Sequence, residues 1–229
     1  MGGSRLRPFV WIFLGLCLGS GCTKSVLRVE RPVRSVAVVP FFIKGPSGEG
    51  SRFVGDPVSG RNFVAGEITP GARGDLTGLL YQKMTEFPQL DVIPLKEVEK
   101  VMERGNFKKE PIASARKTGE TFDVDGVVLG WVFRYEERIG NAISVERPAS
   151  VSFVIHLVDV KKGPVRWSGR FQETQQPLSE NILKLGSFLR RGGVWLTVKN
   201  LASVGMDEVL VSFPVLGEGL EPEGGYEGE

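Results

Sequence analysis

The stretch Val36 to Phe42, VAVVPFF, constrains the fold more than any other. A strand with one wet face alternates apolar and polar residues. This run is nearly all apolar and rich in β-branched residues, so it is predicted to be a strand buried on both faces. That is the pattern of a central strand in a sheet that carries helices. Pro40 has no N–H to give to a ladder, so the strand is expected to end or bulge near it.

The rest of the chain supplies partners for such a strand. Residues 43–74 are rich in glycine, hold Pro46, Pro57 and Pro70, and show little periodicity. A stretch this long without elements of its own reads as a mobile interaction loop or as disorder. From Asp75 to Phe87, Leu76, Leu79, Leu80, Met84 and Phe87 recur at helical spacing and form one apolar stripe. Pro88 stops that helix. Leu90 to Ile93 reads as a short strand, Lys96 to Arg104 as a helix burying Val98, Val101 and Met102, and Ile112 to Lys117 as a third, short helix.

Gly126 to Glu137 alternates, with Val127, Leu129, Trp131, Phe133 and Tyr135 predicted on one face. Ser150 to Val160 and Val165 to Gln175 read as two more strands around the turn Lys161-Lys162-Gly163-Pro164, giving an antiparallel meander. Helices are predicted from about Ser179 to Leu189 and from about Trp195 to Val211, where Leu201, Ala202, Gly205, Val209 and Phe213 make the apolar stripe. The fold class is therefore α/β (α+β): a mixed sheet with an antiparallel meander, flanked by helices, in a single domain over 35–216. About 180 residues suffice for one core that buries roughly 70% of the unfolded surface.

The N-terminus has a different plan. Arg5 and Arg7 precede an apolar run from Phe9 to Leu18, then Gly19, Ser20, Gly21 and Cys22. The run is about ten residues, and a spanning helix needs about 20. The segment resembles a lipoprotein signal peptide, residues 1–21, although Gly19 stands where that motif usually has leucine. The resemblance implies that Cys22 becomes the acylated first residue of the mature chain. Several acyl chains on one sulfur anchor a protein stably. Thr23 after the cysteine, by the same resemblance, implies the periplasmic face of the outer membrane. The alternatives are an ordinary secreted protein or an uncleaved anchor. Residues 22–34 then form a polar, basic tether.

The chain has 29 basic and 27 acidic residues. Loss of Arg5 and Arg7 with the signal leaves the two signs balanced, which argues against a nucleic-acid partner. After Leu216 come Glu218, Glu221, Glu223, Glu227 and Glu229 with no base, so 217–229 is expected to be an acidic, disordered tail. Cys17 and Cys22 are the two cysteines. One leaves with the signal and the other is acylated, so the domain is expected to stand on its core without disulfides.

The order of VAVVPF, the glycine-rich stretch, LTGLLYQKM, FPQLDVIPLKEVEKVM, FDVDGVVLGWVFRY and LVDVKKGPVRWSG is similar to the curli secretion channel family of envelope lipoproteins. Its relatives include lipoprotein activators of penicillin-binding proteins, polysaccharide-export lipoproteins and the N-terminal domain of the Tol-system propeller protein. The resemblance runs over about 34–171. It implies a mixed sheet flanked by helices, and action by binding proteins or forming rings rather than by catalysis.

The residues themselves show little catalytic chemistry. His156 is the single histidine and sits mid-strand beside Val154 and Val158. A nucleophile system needs a positioned serine or cysteine and an orienting acid, and the sequence shows no G-x-S-x-G elbow. Zinc needs several His or Cys ligands, and Asp123-Val124-Asp125-Gly126 lacks the later ligands of a calcium loop. No catalytic residue, metal or cofactor is expected. Trp131 and Trp167 read as core. Trp195, with Arg190 and Arg191 just before it, reads as an interface anchor or a contact with lipid headgroups, and Glu173, Gln175 and Gln176 in the stretch 173–181 join it as candidate partner contacts. The expectation is a non-enzymatic outer-membrane lipoprotein that binds an envelope-assembly or export partner. The alternatives are a ring-forming, homo-oligomeric subunit of a secretion or export assembly, and an envelope hydrolase.

Overall fold

A computed structural model describes residues 32–46, 51–103, 105–141, 144–175 and 195–215. The apolar run begins as β1 (Ser35–Val38), and its side chains divide between two cores. Val36 and Val38 enter one, and Ala37 and Val39 the other. The strand stops short of Pro40 and the ladder resumes two residues later as β2 (Phe42–Ile43), the break that a missing N–H demands.

The stretch 43–74 is not a bare loop. It folds into a hairpin of β3 (Phe53–Gly55) and β4 (Asn62–Val64). After it come α1 (Ala72–Thr85), β5 (Asp91–Val92), α2 (Leu95–Met102), α3 (Pro111–Phe122) and β6 (Gly126–Glu136). A small pair, β7 (Ile139–Gly140) and β8 (Val145–Arg147), leads into β9 (Ser150–Asp159), β10 (Val165–Thr174) and α4 (Val198–Leu210).

The sheet order is β10-β9-β6-β1-β5, with β2 pairing β6 beyond β1. Strands β5, β1 and β6 are mutually parallel, and β6, β9 and β10 form the antiparallel meander. The mixed sheet flanked by helices is the expected architecture. Helices α1 and α4 cover one face through Leu76, Leu80, Met84, Leu201 and Met206. Helices α2 and α3 and the β3–β4 hairpin cover the other through Val98, Ala115, Val54 and Phe63.

Several boundaries move for local reasons. Helix α1 starts at Ala72, ahead of Asp75, because Gly71 takes a left-handed turn (φ 91°) that L side chains resist. Helix α4 starts at Val198, after Trp195, because Thr197 caps it and accepts the Asn200 N–H at 3.3 Å. Helix α3 runs five residues past Lys117. The face it buries is Ser114, Ala115, Thr118 and Gly119, which leaves no apolar stripe to detect. A register shift between Val132 and Arg134 turns Tyr135 to the opposite side from Phe133, so these two do not share a face. The signal segment 1–21, the Ser179–Leu189 helix and the tail 217–229 lie outside the described residues, as does most of the tether.

Candidate functional site

The turn between β3 and β4, Asp56-Pro57-Val58-Ser59-Gly60-Arg61, is built around one carboxylate. Asp56 accepts the Val58 N–H at 3.2 Å and the Ser59 N–H at 2.9 Å, and the Ser59 hydroxyl donates to the same carboxylate. This is the local turn that Asp favours. Gly60, at φ 70°, closes it. The turn sits on the sheet because Phe63 of β4 stacks on Phe133 of β6 with ring centroids 4.4 Å apart.

That seating presses Asp56 against His156 of β9. Asp56 Oδ2 and His156 Nε2 are 3.0 Å apart, and neither side chain has any exposed surface. His156 Nδ1 lies 2.7 Å from Ser168 Oγ on β10, and the Trp131 ring meets the imidazole edge-on at 5.9 Å. Burial pushes the Asp56 carboxyl up. The hydrogen bonds from His156 and Ser59 and the attraction of the His156 ring outweigh it and hold the group at about 2, below its ordinary 3.8. Asp56 is therefore ionised and can only accept, so Nε2 carries a proton. Ser168 Oγ, within hydrogen-bond reach of Nδ1, completes the chain.

The chain Ser168–His156–Asp56 has the order of a nucleophilic relay. Its setting differs from one. Ser168 lies in the middle of a ladder strand, paired with His156 itself, and not on a turn that presents its oxygen to a cleft. Neither of the two grooves described below includes it. What the chain does is fasten: it ties the hairpin to two strands of the sheet. The sequence reading had His156 as a lone structural residue and missed both partners. The available signal was the turn former Asp56 followed by Ser59, one hundred positions away.

The predicted partner contacts separate. Gln175 is buried. Its N–H reaches the Ala149 carbonyl at 3.1 Å, and its Oε1 accepts the Leu196 N–H at 2.9 Å. It is an internal strut, not a surface contact. Trp195 is half-buried, and its carbonyl accepts from the Arg138 guanidinium. Glu137 accepts the Val198 N–H at 3.1 Å at the start of α4. The Trp195–Val198 segment is thus pinned to the ends of β6 and β10. Glu173 is half-buried on β10, opposite Val151. Gln176, Arg190, Arg191 and Cys22 lie outside the described residues. Trp131 is buried, and Trp167 packs on Phe213 at 5.1 Å and donates Nε1–H to Ser212 Oγ at 3.1 Å.

Two of the grooves on the surface bear on docking. One, of about 670 Å³, lies between the C-terminal ends of α1 and α4. The other, of about 540 Å³, has Phe42, Met102 and Phe107 among its walls, with Arg73, Glu99, Glu103 and Lys108 beside them. Ile43 next to it and Phe53 on the hairpin are each 58% exposed. Among the described residues no three His, Cys, Asp or Glu side chains converge as metal ligands, and no helix is long and apolar enough to cross a membrane.

No family model matches this chain, and no curated protein matches it significantly. Solved structures do resemble it. A PelC dodecamer from Paraburkholderia phytofirmans has 13% identity and a TM-score of 0.44 over 80% of this chain and 89% of its own. A lipoprotein from Neisseria meningitidis has 19% identity and a TM-score of 0.42 over 69% of this chain and 92% of its own. The LpoB C-terminal domain from Salmonella enterica has 11% identity and a TM-score of 0.38 over 63% of this chain and 84% of its own. At such identities neither a partner nor an activity passes from them to this chain.

Proposed function

We propose that this is a lipid-anchored, non-enzymatic protein of the bacterial envelope, held at the periplasmic face of the outer membrane by Cys22, whose domain docks another envelope component. The observation that carries the reading is the use made of the catalytic-looking constellation Ser168–His156–Asp56 among the described residues. Both ring nitrogens of His156 are hydrogen-bonded, and the effect is to seat a hairpin. That hairpin and β2 present Phe53 and Ile43 to solvent, apolar side chains on the stretch the sequence marks as an interaction segment. Anchoring confines the domain to a surface and so raises its effective concentration for partners there.

The test is recovery of the lipidated protein from crosslinked membranes. An envelope synthase or exporter is expected to come with it, and a Phe53→Asp or Ile43→Asp variant is expected to lose that partner while keeping the fold. Recovery of lipoprotein-processing factors alone would sink the reading. A Cys22→Ser variant is expected to leave the membrane fraction. Mass measurement in detergent separates this reading from the ring-forming one, which requires a discrete large oligomer.

A further inference from the structure

The groove between α1 and α4 lies at the end of the domain where the N-terminal segment enters. Val33 donates its N–H to the Pro214 carbonyl at 3.0 Å and bridges in parallel to Val215. Phe87, just past α1, stacks on Phe213, just past α4, at 6.2 Å. The apolar walls are Phe87, Pro88, Leu210, Val211, Phe213 and Val215. The Lys83–Asp207 ion pair joins the two helices beside it. Val211 is 72% exposed, more than any other large apolar side chain described. A lone exposed valine means little. One on the rim of an apolar groove, at this end of the domain, has a place to go.

Nine residues separate Cys22 from Pro32. Fully extended, they span at most roughly 35 Å, so an acylated Cys22 keeps this end of the domain close to lipid. We infer that this end rests on the phospholipid bilayer, with Val211 and the groove rim as the contact. The inference rests on the anchor proposed above and adds a face to it. The same end exposes Lys161 and Lys162 of the β9–β10 turn together with Glu86 and Asp123. Those charges of the domain offset one another, so the contact at Val211 itself is apolar, while the basic tether adds a salt-dependent attraction that the acyl anchor does not need.

The mature chain has no thiol besides Cys22, which lipid occupies, so Val211→Cys is a unique labelling site. The lipidated variant, carrying an environment-sensitive fluorophore, is placed in vesicles of phosphatidylethanolamine and phosphatidylglycerol. A Lys100→Cys variant, exposed on α2 over the opposite face of the sheet, is the comparison. A blue shift and quenching by nitroxide lipid are expected at position 211, unchanged in high salt, with neither at position 100. Vesicle-bound protein whose 211 label stays as wet as the 100 label overturns the inference. So does shielding at 211 that appears in detergent and rises with protein concentration, which means a second copy covers the groove. Protein that fails to float with the vesicles overturns the anchor itself, and the inference falls with it.

Discussion

Asp56 and His156 are one hundred positions apart, yet they hydrogen-bond each other inside the protein. The carboxyl is held at about 2 when folded, against 3.8 ordinarily. A folded value below the unfolded one means that the unfolded chain binds the proton more readily. The contribution to stability is therefore complete above about pH 4 and is lost as pH falls through about 2, roughly 2 kcal/mol in all. Urea unfolding of an Asp56→Asn variant across this window is expected to lack that part of the acid loss. Parallel profiles for variant and parent would remove the assignment. At neutral pH, Asp56→Ala leaves a buried imidazole nitrogen without its partner and is expected to cost about 1–3 kcal/mol. Ser168→Ala, at an exposed position, is expected to cost less. His156 was visible in the sequence because it is alone. Its partners were not, since nothing local links residue 56 to 156 or 168.

Two elements show how packing decides the sign of one kind of substitution. Helix α4 lies close on β10: a Cβ at Gly205 would stand 2.3 Å from the Phe171 ring, and one at Gly169 would stand 2.2 Å from Val209. In α1, a Cβ at Gly78 would meet nothing within 4 Å. Gly205→Ala is expected to destabilise by about 1–3 kcal/mol through overpacking. Gly78→Ala is expected to stabilise by about 0.5–1 kcal/mol through helix propensity. Unfolding midpoints that move in the same direction for both would contradict the packing described. Periodicity found α1, β6, β9, β10 and α4 because each has a wide apolar face. It shortened α3, whose contact with the sheet is made by small residues: a Cβ at Gly119 would lie 2.2 Å from Val160. It missed the β3–β4 hairpin, whose strands are three residues long, too short to show a period, and whose place is set by Phe63 on Phe133.

At the scale of the molecule, β1 is the hub. It pairs Ser35 with Asp91 and Val36 with both Val92 and Gly126, so the strand laid down first joins the two halves of the sheet. A chain beginning after Val39 is expected to show no cooperative unfolding by circular dichroism or heat. A cooperative transition would mean that the sheet assembles without its centre. The apolar run, the helical stripes and the meander were legible in the sequence because they are local patterns, set by side-chain period and by the chemistry of proline and glycine. The division of β1 between two cores, the shift that turns Tyr135 away from Phe133, the clamp at His156 and the burial of Gln175 were decided by tertiary structure alone. Each depends on which distant strand or turn arrives alongside, and a one-dimensional pattern holds no record of that distance.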